Sequence, residues 1–283
     1  MAIHLNGAQF IPAERFLPYL SWQQVRDLHP SSVLVLPVAS TEQHGPHLPL
    51  FTDVLVGQIL LGAALARLPH EAPVYALPPI VYGRANEHRH FPGTIVLASE
   101  LLYRILMDVA RSVRAWGPGH RLVFWNSHGG NRPVVEMAAR DARDETGLRT
   151  FMIGLGNLGL GAELAPQERQ LGLHAGDLET SILLAACAEL VQLDRAVAEY
   201  PAVSRRGGHD SDYGFEASRG VPIFAWLTHD LSDSGVIGDP SMASAEKGAR
   251  WISAAADKLV ELLLSALAWQ EPKQTHRAGD AHP

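Results

Sequence analysis

Three short stretches of the 283-residue chain carry side chains able to bind metal ions or move protons. The longest, Ser40 to Asp53 (STEQHGPHLPLFTD), places Glu42, His44, His47 and Asp53 in one loop. Carboxylate and imidazole are ligands suited to zinc, manganese or iron, and Glu42 and His44, two residues apart, project the same way from extended backbone. Pro46 and Pro49 stiffen the stretch that follows. A polar loop turned to solvent is the competing account of the same residues. The second stretch, Asn126 to Asn131 (NSHGGN), follows an apolar run, which puts His128 at the carboxyl end of a strand. Gly129 and Gly130 permit close backbone approach and offer amide N–H groups at a helix start, a setting for an anion or a developing oxyanion. A turn that needs glycine, with His128 incidental, explains the pattern equally well.

The third stretch, His174 to Ser181 (HAGDLETS), opens the apolar run Ile182 to Cys187. With a helix beginning near Gly176, Glu179 falls in its first turn, where the helix dipole favours a carboxylate; capping is the alternative role. His174 lies just outside, with an unperturbed pKa suited to moving protons near neutral pH. Glu42, His44, Asp53, His128 and Glu179 suffice for two divalent ions sharing one carboxylate. Such a pair acidifies a bridging water and polarises a carbonyl, and His174 is then the available proton shuttle. The sequence holds no Gly-x-Ser-x-Gly elbow, Walker loop or His-Glu-x-x-His to offer a rival chemistry.

The elements that must position these groups follow from hydrophobic periodicity. Ser32 to Val38 (SVLVLPV) predicts a strand and Asp53 to Leu68 a helix, with the first polar loop between them. Arg121 to Trp125 (RLVFW) predicts a second strand, followed by the NSHGGN loop and a helix from about Arg132 to Glu145; a third strand is expected at Thr150 to Ile153. Leu101 to Trp116 and Ala245 to Leu267 are further helices, the latter with Ile252, Ala255, Leu259, Leu262 and Leu263 on one face. Short, wholly apolar strands alternating with helices imply an α/β fold, a mostly parallel sheet flanked by helices on both faces. Ligands in such sheets bind at the carboxyl ends of strands, where both polar loops emerge. We expect one domain over residues 1–270, or two if the stretch after Pro201 folds separately, and a disordered tail over 271–283.

Composition narrows the classes. Hydrophobic residues make up 47% of the chain and charged residues 19%, enough apolar material for a large core. A formal net charge of -7 gives no electrostatic footprint for nucleic acid or an anionic membrane. The single cysteine, Cys187, rules out an intramolecular disulfide and a thiolate cage, so any metal must sit on His, Asp and Glu. No secretory signal and no apolar run of about 18 residues is present, so a cytoplasmic protein is expected.

Taken in order, STEQHGPHLPLFTD, NSHGGN, HAGDLETS and the later Gly238-Asp239-Pro240 resemble the motifs of the creatininase family, over about Leu36 to Trp251. The resemblance implies an α/β fold, a binuclear centre of zinc, manganese or iron, hydrolysis of cyclic or linear amides, and assembly as a homo-oligomer, often a hexamer. Carried over by motif, Glu42, Asp53 and His128 would hold one ion, His44, Asp53 and Glu179 the other, with Asp53 bridging and His174 as acid/base. Creatininase itself carries Tyr and Glu after the metal-binding histidine, where this chain has Gly129 and Gly130. That departure moves the carboxylate ligand to Glu179 and argues against creatinine as substrate. The His-Gly-Gly-Asn form looks more like a mycofactocin-maturation peptidase and the formamide hydrolases of flavin and deazaflavin precursor synthesis.

Tyr82 to His90 followed by Phe91-Pro92-Gly93-Thr94 resembles another family stretch. It places Glu87 and His88 near the site as substrate contacts, together with Gly129 and Gly130; a purely structural loop is the alternative. Arg205 to Tyr213 and Phe224 to Asp230 are candidate pocket walls, with Trp226 as a cap. Three functions remain open at this point. They are hydrolysis of a small non-peptide or short-peptide amide, a peptidase trimming a peptide precursor, and a non-catalytic metal-binding assembly protein.

Overall fold

A computed structural model describes residues 10–117, 119–201 and 225–270. The stretch Arg205 to Tyr213, Phe224 and the tail 271–283 lie outside the described residues. The chain runs α1 (Trp22–Arg26), β1 (Val33–Val38), α2 (Thr52–Leu65), β2 (Val74–Ala76), α3 (Ser99–Trp116), β3 (Arg121–Asn126), α4 (Arg132–Thr146), β4 (Arg149–Gly154), α5 (Pro166–Leu171), α6 (Asp177–Ala186), α7 (Thr228–Leu231) and α8 (Ala245–Ala268).

The four strands form one parallel sheet in the order β2-β1-β3-β4. Successive strand residues face opposite sides, and both sides here are apolar. Val33 and Val35 of β1 and Val123 and Trp125 of β3 enter a core shared with α2, α6 and α8. Leu34, Leu36 and Val38, with Leu122 and Phe124, enter a second core beneath α3 and α4. Helices therefore cover both faces, as the sequence predicts.

Element ends differ from the sequence reading by small amounts, each with a local cause. α2 stops at Leu65 rather than Leu68, because Pro69 disfavours helical backbone at the residue before it. The three-residue strand β2, between Pro73 and Pro78, is too short to show any period and was not predicted. In α8 the buried line is Gly248, Trp251, Ala255, Ala256, Leu259, Leu263 and Ala266, with Ile252 and Leu262 only partly covered.

The topology fixes where a ligand can sit. From β1 the chain steps to β2 on one side and then crosses to β3 on the other, so the loops leaving β1 and β3 part from one another. The register pairs Val38 with Asn126, which brings the two loop starts side by side at this switch point.

Candidate metal centre

Five segments converge at the carboxyl ends of β1 and β3. The loop after β1 brings Glu42 and His44, and it is closed by the Glu42 amide donating to Leu50 O at 2.9 Å. The first turn of α2 brings Asp53. The residue pair after β3 brings His128, and Ser127 Oγ donates to Asp53 O at 2.8 Å, tying that strand end to α2. The segment before α6 brings His174 and its first turn Glu179. A 3-10 turn, Asn86–His88, brings Glu87 and His88. Asn131 clasps the ensemble: its Oδ1 accepts the Arg84 amide at 2.8 Å and its Nδ2 donates to Ala39 O at 3.0 Å.

Glu42, His44, Asp53, His88, His128 and His174 are all buried. A backbone carbonyl only accepts, so a neutral imidazole beside one carries its proton on that side and a lone pair on the other. His44 Nδ1 lies 3.1 Å from Glu42 O, leaving Nε2 to face Asp53 Oδ1 at 3.3 Å and Glu179 Oε2 at 4.0 Å. His128 Nε2 lies 3.1 Å from Arg84 O, leaving Nδ1 to face Glu42 Oε2 and Asp53 Oδ2, each at 3.1 Å. His174 Nε2 lies 2.7 Å from Gln43 O, leaving Nδ1 to face Glu42 Oε1 at 3.9 Å. Asp53 thus turns one oxygen toward His44 and the other toward His128.

With neutral rings these facing atoms do not satisfy each other. Glu42 Oε2, His44 Nε2 and Asp53 Oδ2 are buried without a hydrogen-bond partner, and burial of such atoms costs about 1–3 kcal/mol each. Ligands about 2.0–2.2 Å from a common ion stand roughly 3.0–3.5 Å apart, which the separations here match. Glu42, His44 and Asp53 form one cluster of potential ligand atoms, and His44, His174 and Glu179 another. The donor set and its orphaned atoms fit divalent ions.

Electrostatics point the same way. Burial opposes charge on His44, but Asp53 outweighs it and raises the ring to about 9. His128, against burial, is held well above its ordinary value by Glu42 and Asp53. Burial and the neighbouring Asp53 raise Glu42 to about 7, with His128 opposing. Asp53 itself is held far below the carboxylate range, since His44 and His128 override its burial. Burial raises Glu179, His44 working against it. Without a metal, the pocket balances its carboxylates with protons on His44 and His128. His174 behaves oppositely, pushed well below its ordinary value by burial and by the charge of His44.

Other expected residues take distinct places. Glu179 Oε2 also accepts the Ala175 amide at 2.7 Å, so the carboxylate combines the capping contact with its approach to His44. Ala175 takes a left-handed φ of 53°, a strained setting for a residue with a Cβ. Glu87 Oε1 lies 3.4 Å from His128 Nε2, on the side of the ring away from Glu42 and Asp53. A Cβ on Gly130 would overlap Glu87 Oε1, His128 Nε2 and Arg84 O, whereas one on Gly129 would meet nothing. Glycine at 130 is therefore a packing requirement. His47 points out of the ligand cluster, its Nε2 3.0 Å from Thr180 Oγ1. Trp226 is half-buried just ahead of α7.

Sequence reasoning missed Gln43, Thr228 and Glu168. Gln43 and Thr228 flank His88 Nδ1 at 2.8 and 2.9 Å. Buried Glu168 accepts the Asp177 and Asp239 amides, each at 2.9 Å, and the Tyr200 hydroxyl at 2.8 Å, fastening the His174 segment to the Gly238 turn. Glu168 faces three glycines, Gly172, Gly176 and Gly238, a juxtaposition that only the fold creates.

Comparison with known proteins agrees with this geometry. The family model described as creatininase, creatinine amidohydrolase, matches residues 18–263. A mycofactocin precursor peptide peptidase of Mycobacterium ulcerans is 35% identical over 239 residues, covering 80% of this chain and 82% of the relative. A creatinine amidohydrolase of Pseudomonas putida is 31% identical over 208 residues, covering 66% of this chain and 77% of that protein. The solved structure named Creatininase Mn superposes with a TM-score of 0.68 at 23% identity, spanning 90% of this chain and 99% of that one. With its family match, sheet order and strand-end cluster of histidines and carboxylates, this chain belongs to the creatininase family.

Proposed function

We propose that this creatininase-family hydrolase cleaves an amide C–N bond at a centre of two divalent ions of zinc, manganese or iron. The observation that carries the reading is the split of Asp53, whose two buried oxygens face the ring nitrogens of two different histidines. His128 Nδ1, Glu42 Oε2 and Asp53 Oδ2 would hold one ion. His44 Nε2, Asp53 Oδ1 and Glu179 Oε2 would hold the other. When bound, such ions lower the pKa of a water and polarise a carbonyl.

The remaining work falls to the protein's own groups. His174 donates Nε2–H to Gln43 O, which fixes the ring and leaves Nδ1 as a base. Its depressed pKa keeps that nitrogen free to take a proton from the attacking water and to hand it to the departing amide nitrogen. Burial of the cluster excludes bulk water and strengthens each of these interactions. Glu87 and Arg84 O hold His128 from behind, a positioning role in place of the substrate contact expected of Glu87.

The substrate is a small amide, either non-peptide or part of a short peptide. A peptide amide is favoured by the relative named a peptide peptidase, which shares 35% of its residues across most of the chain. Gly129, with open space beside it, leaves room at the mouth on the His128 side. Assembly as a homo-oligomer, hexameric by family resemblance, and a cytoplasmic setting belong to the same proposal. Among the described residues no helix is long and apolar enough to cross a membrane, and the net charge of -7 does not favour nucleic acid as a partner.

Elemental analysis of protein purified without chelators, run beside formamide and short-peptide hydrolysis assays on wild type and Asp53→Ala, tests this. About two ions per chain, lost together with turnover in the variant, is the expected result. Stoichiometric metal and turnover in Asp53→Ala would overturn the assignment. Metal without turnover on any amide would favour the non-catalytic reading.

A further inference from the structure

His88 belongs to the same crowd of ligand atoms, and its Nε2 lies 3.3 Å from Glu42 Oε1. By position alone it is a third candidate histidine ligand. Its proton placement argues otherwise. The Gln43 carboxamide is pinned by two backbone groups that cannot exchange roles: Oε1 accepts the Gly45 amide at 2.9 Å and Nε2 donates to Gly235 O at 3.1 Å. The amide orientation is therefore settled by its partners. The second hydrogen on that nitrogen points to His88 Nδ1, 2.8 Å away, and Thr228 Oγ1 stands 2.9 Å from the same atom. Nδ1 must accept, so the neutral ring carries its proton on Nε2.

His44 and His128 each have a backbone carbonyl behind the ring, so that once neutral each turns a lone pair toward the carboxylates. His88 has donors behind the ring and an N–H toward them. A protonated nitrogen has no lone pair for a metal. We propose that His88 is a positioning residue that donates Nε2–H to Glu42 Oε1, so that Glu42 presents only Oε2 to the ion beside His128 and Asp53. Gln43 sets this tautomer, with Thr228 as a second neighbour of Nδ1. The inference rests on the metal-centre reading for what Glu42 does, but the tautomer itself is a property of the chain with or without ions.

A His-labelled 15N spectrum at pH 8, with His88 assigned by loss of its signals in His88→Gln, reads the tautomer directly. The expected result, in metal-free and zinc-loaded protein alike, is an unprotonated Nδ1 and a protonated Nε2 whose shift stays in the N–H range on loading. An unprotonated Nε2, or one that moves to a metal-bound shift, would overturn the proposal.

Gln43→Glu replaces the donor with an acceptor and is expected to move the proton to Nδ1 and weaken zinc binding about 10- to 100-fold. Thr228→Val leaves the Gln43 donor and is expected to keep the wild-type tautomer and affinity. Unchanged zinc affinity in a folded Gln43→Glu protein whose tautomer has switched would refute the role toward Glu42. If that variant does not fold, the wild-type spectrum still decides the tautomer, and zinc affinity in His88→Gln decides the role: a loss is expected, and wild-type affinity would refute it. A wild-type protein that binds no metal at all would instead sink the metal-centre reading, while its His88 spectrum would still report the tautomer.

Discussion

Metal uptake should be steeply linked to pH, and the structure supplies the slope. In the metal-free protein His44 sits at about 9 and His128 well above its ordinary value, so both rings are protonated at pH 7. A ligand nitrogen must be unprotonated, so each ion enters by displacing a proton. For His44 the two units between 9 and 7 represent about 2.7 kcal/mol opposing binding at pH 7, halved at pH 8. With one ring on each ion, each apparent dissociation constant should fall about 10-fold from pH 7 to 8, and their product about 100-fold. Below pH 7 the dependence should steepen, because Glu42, raised to about 7, becomes a third group to deprotonate. His88, lowered to about 3 by burial and the charge of His44, and His174, also lowered, are neutral throughout and add no protons. Calorimetry in buffers of different ionisation enthalpy counts the protons released, with about two expected near pH 8. A count of zero between pH 6 and 8, with metal bound, would refute the assignment of His44 and His128 as ligands.

Three further outcomes follow from packing and burial. Gly130→Ala should lower stability by about 1–3 kcal/mol and weaken metal binding, because the new methyl meets Glu87, His128 and Arg84 O; Gly129→Ala should stay within about 0.5 kcal/mol, and paired denaturation curves compare them. Equal effects of the two substitutions would contradict the model of the His128 turn. Glu168→Ala strands the Asp177 and Asp239 amides and the Tyr200 hydroxyl and should cost about 3–5 kcal/mol, read as a lower denaturation midpoint, whereas Glu168→Gln should keep part of it. Chelator-treated protein should lose stability on acidification from pH 6.5 toward 4. His47 is buried neutral with its pKa lowered to about 4, so the unfolded chain takes up the proton first; about 2 kcal/mol is expected after allowance for solvent screening. His47→Gln should remove that part of the pH dependence of the melting temperature and leave the parts that His88 and His174, also lowered, and Glu42, raised, contribute.

The layered fold was legible because β1 and β3 are apolar on both faces, a pattern that only a sheet covered twice requires. β2 escaped because three residues between prolines carry no period, yet it determines the switch point by placing β1 inside the sheet. The acidic and imidazole residues were equally legible as types. Their roles were not, because a role depends on which nitrogen holds the proton, and that is decided by groups with no chemistry of their own. The carbonyls of Glu42, Gln43 and Arg84 and the side chains of Gln43 and Thr228 are such groups. Thr228 stands 140 residues from His88 and Gly235 stands 192 from Gln43, so no local reading joins them.

Gly129 and Gly130 show the same limit from the other side. As letters they are interchangeable, and both suit close approach to a ligand. In the folded chain only Gly130 is crowded, and what crowds it is Glu87, a side chain from the segment that follows β2. At the position where the family resemblance puts a glutamate in creatininase, this chain has Gly130, and Glu87 fills the space beside it, aimed at the back of the His128 ring. On the proposed assignment, the negative charge beside His128 then sits behind the ring, on its supporting side. Glu179, 4.0 Å from His44 Nε2, is left as the carboxylate facing the second position. A chain rebuilt with glutamate at 130 would have to expel Glu87 from that space and release the contact on His128 Nε2. Gly130→Glu alone should thus disturb His128 and lower stability, and pairing it with Glu87→Ala should recover part of that loss in denaturation curves.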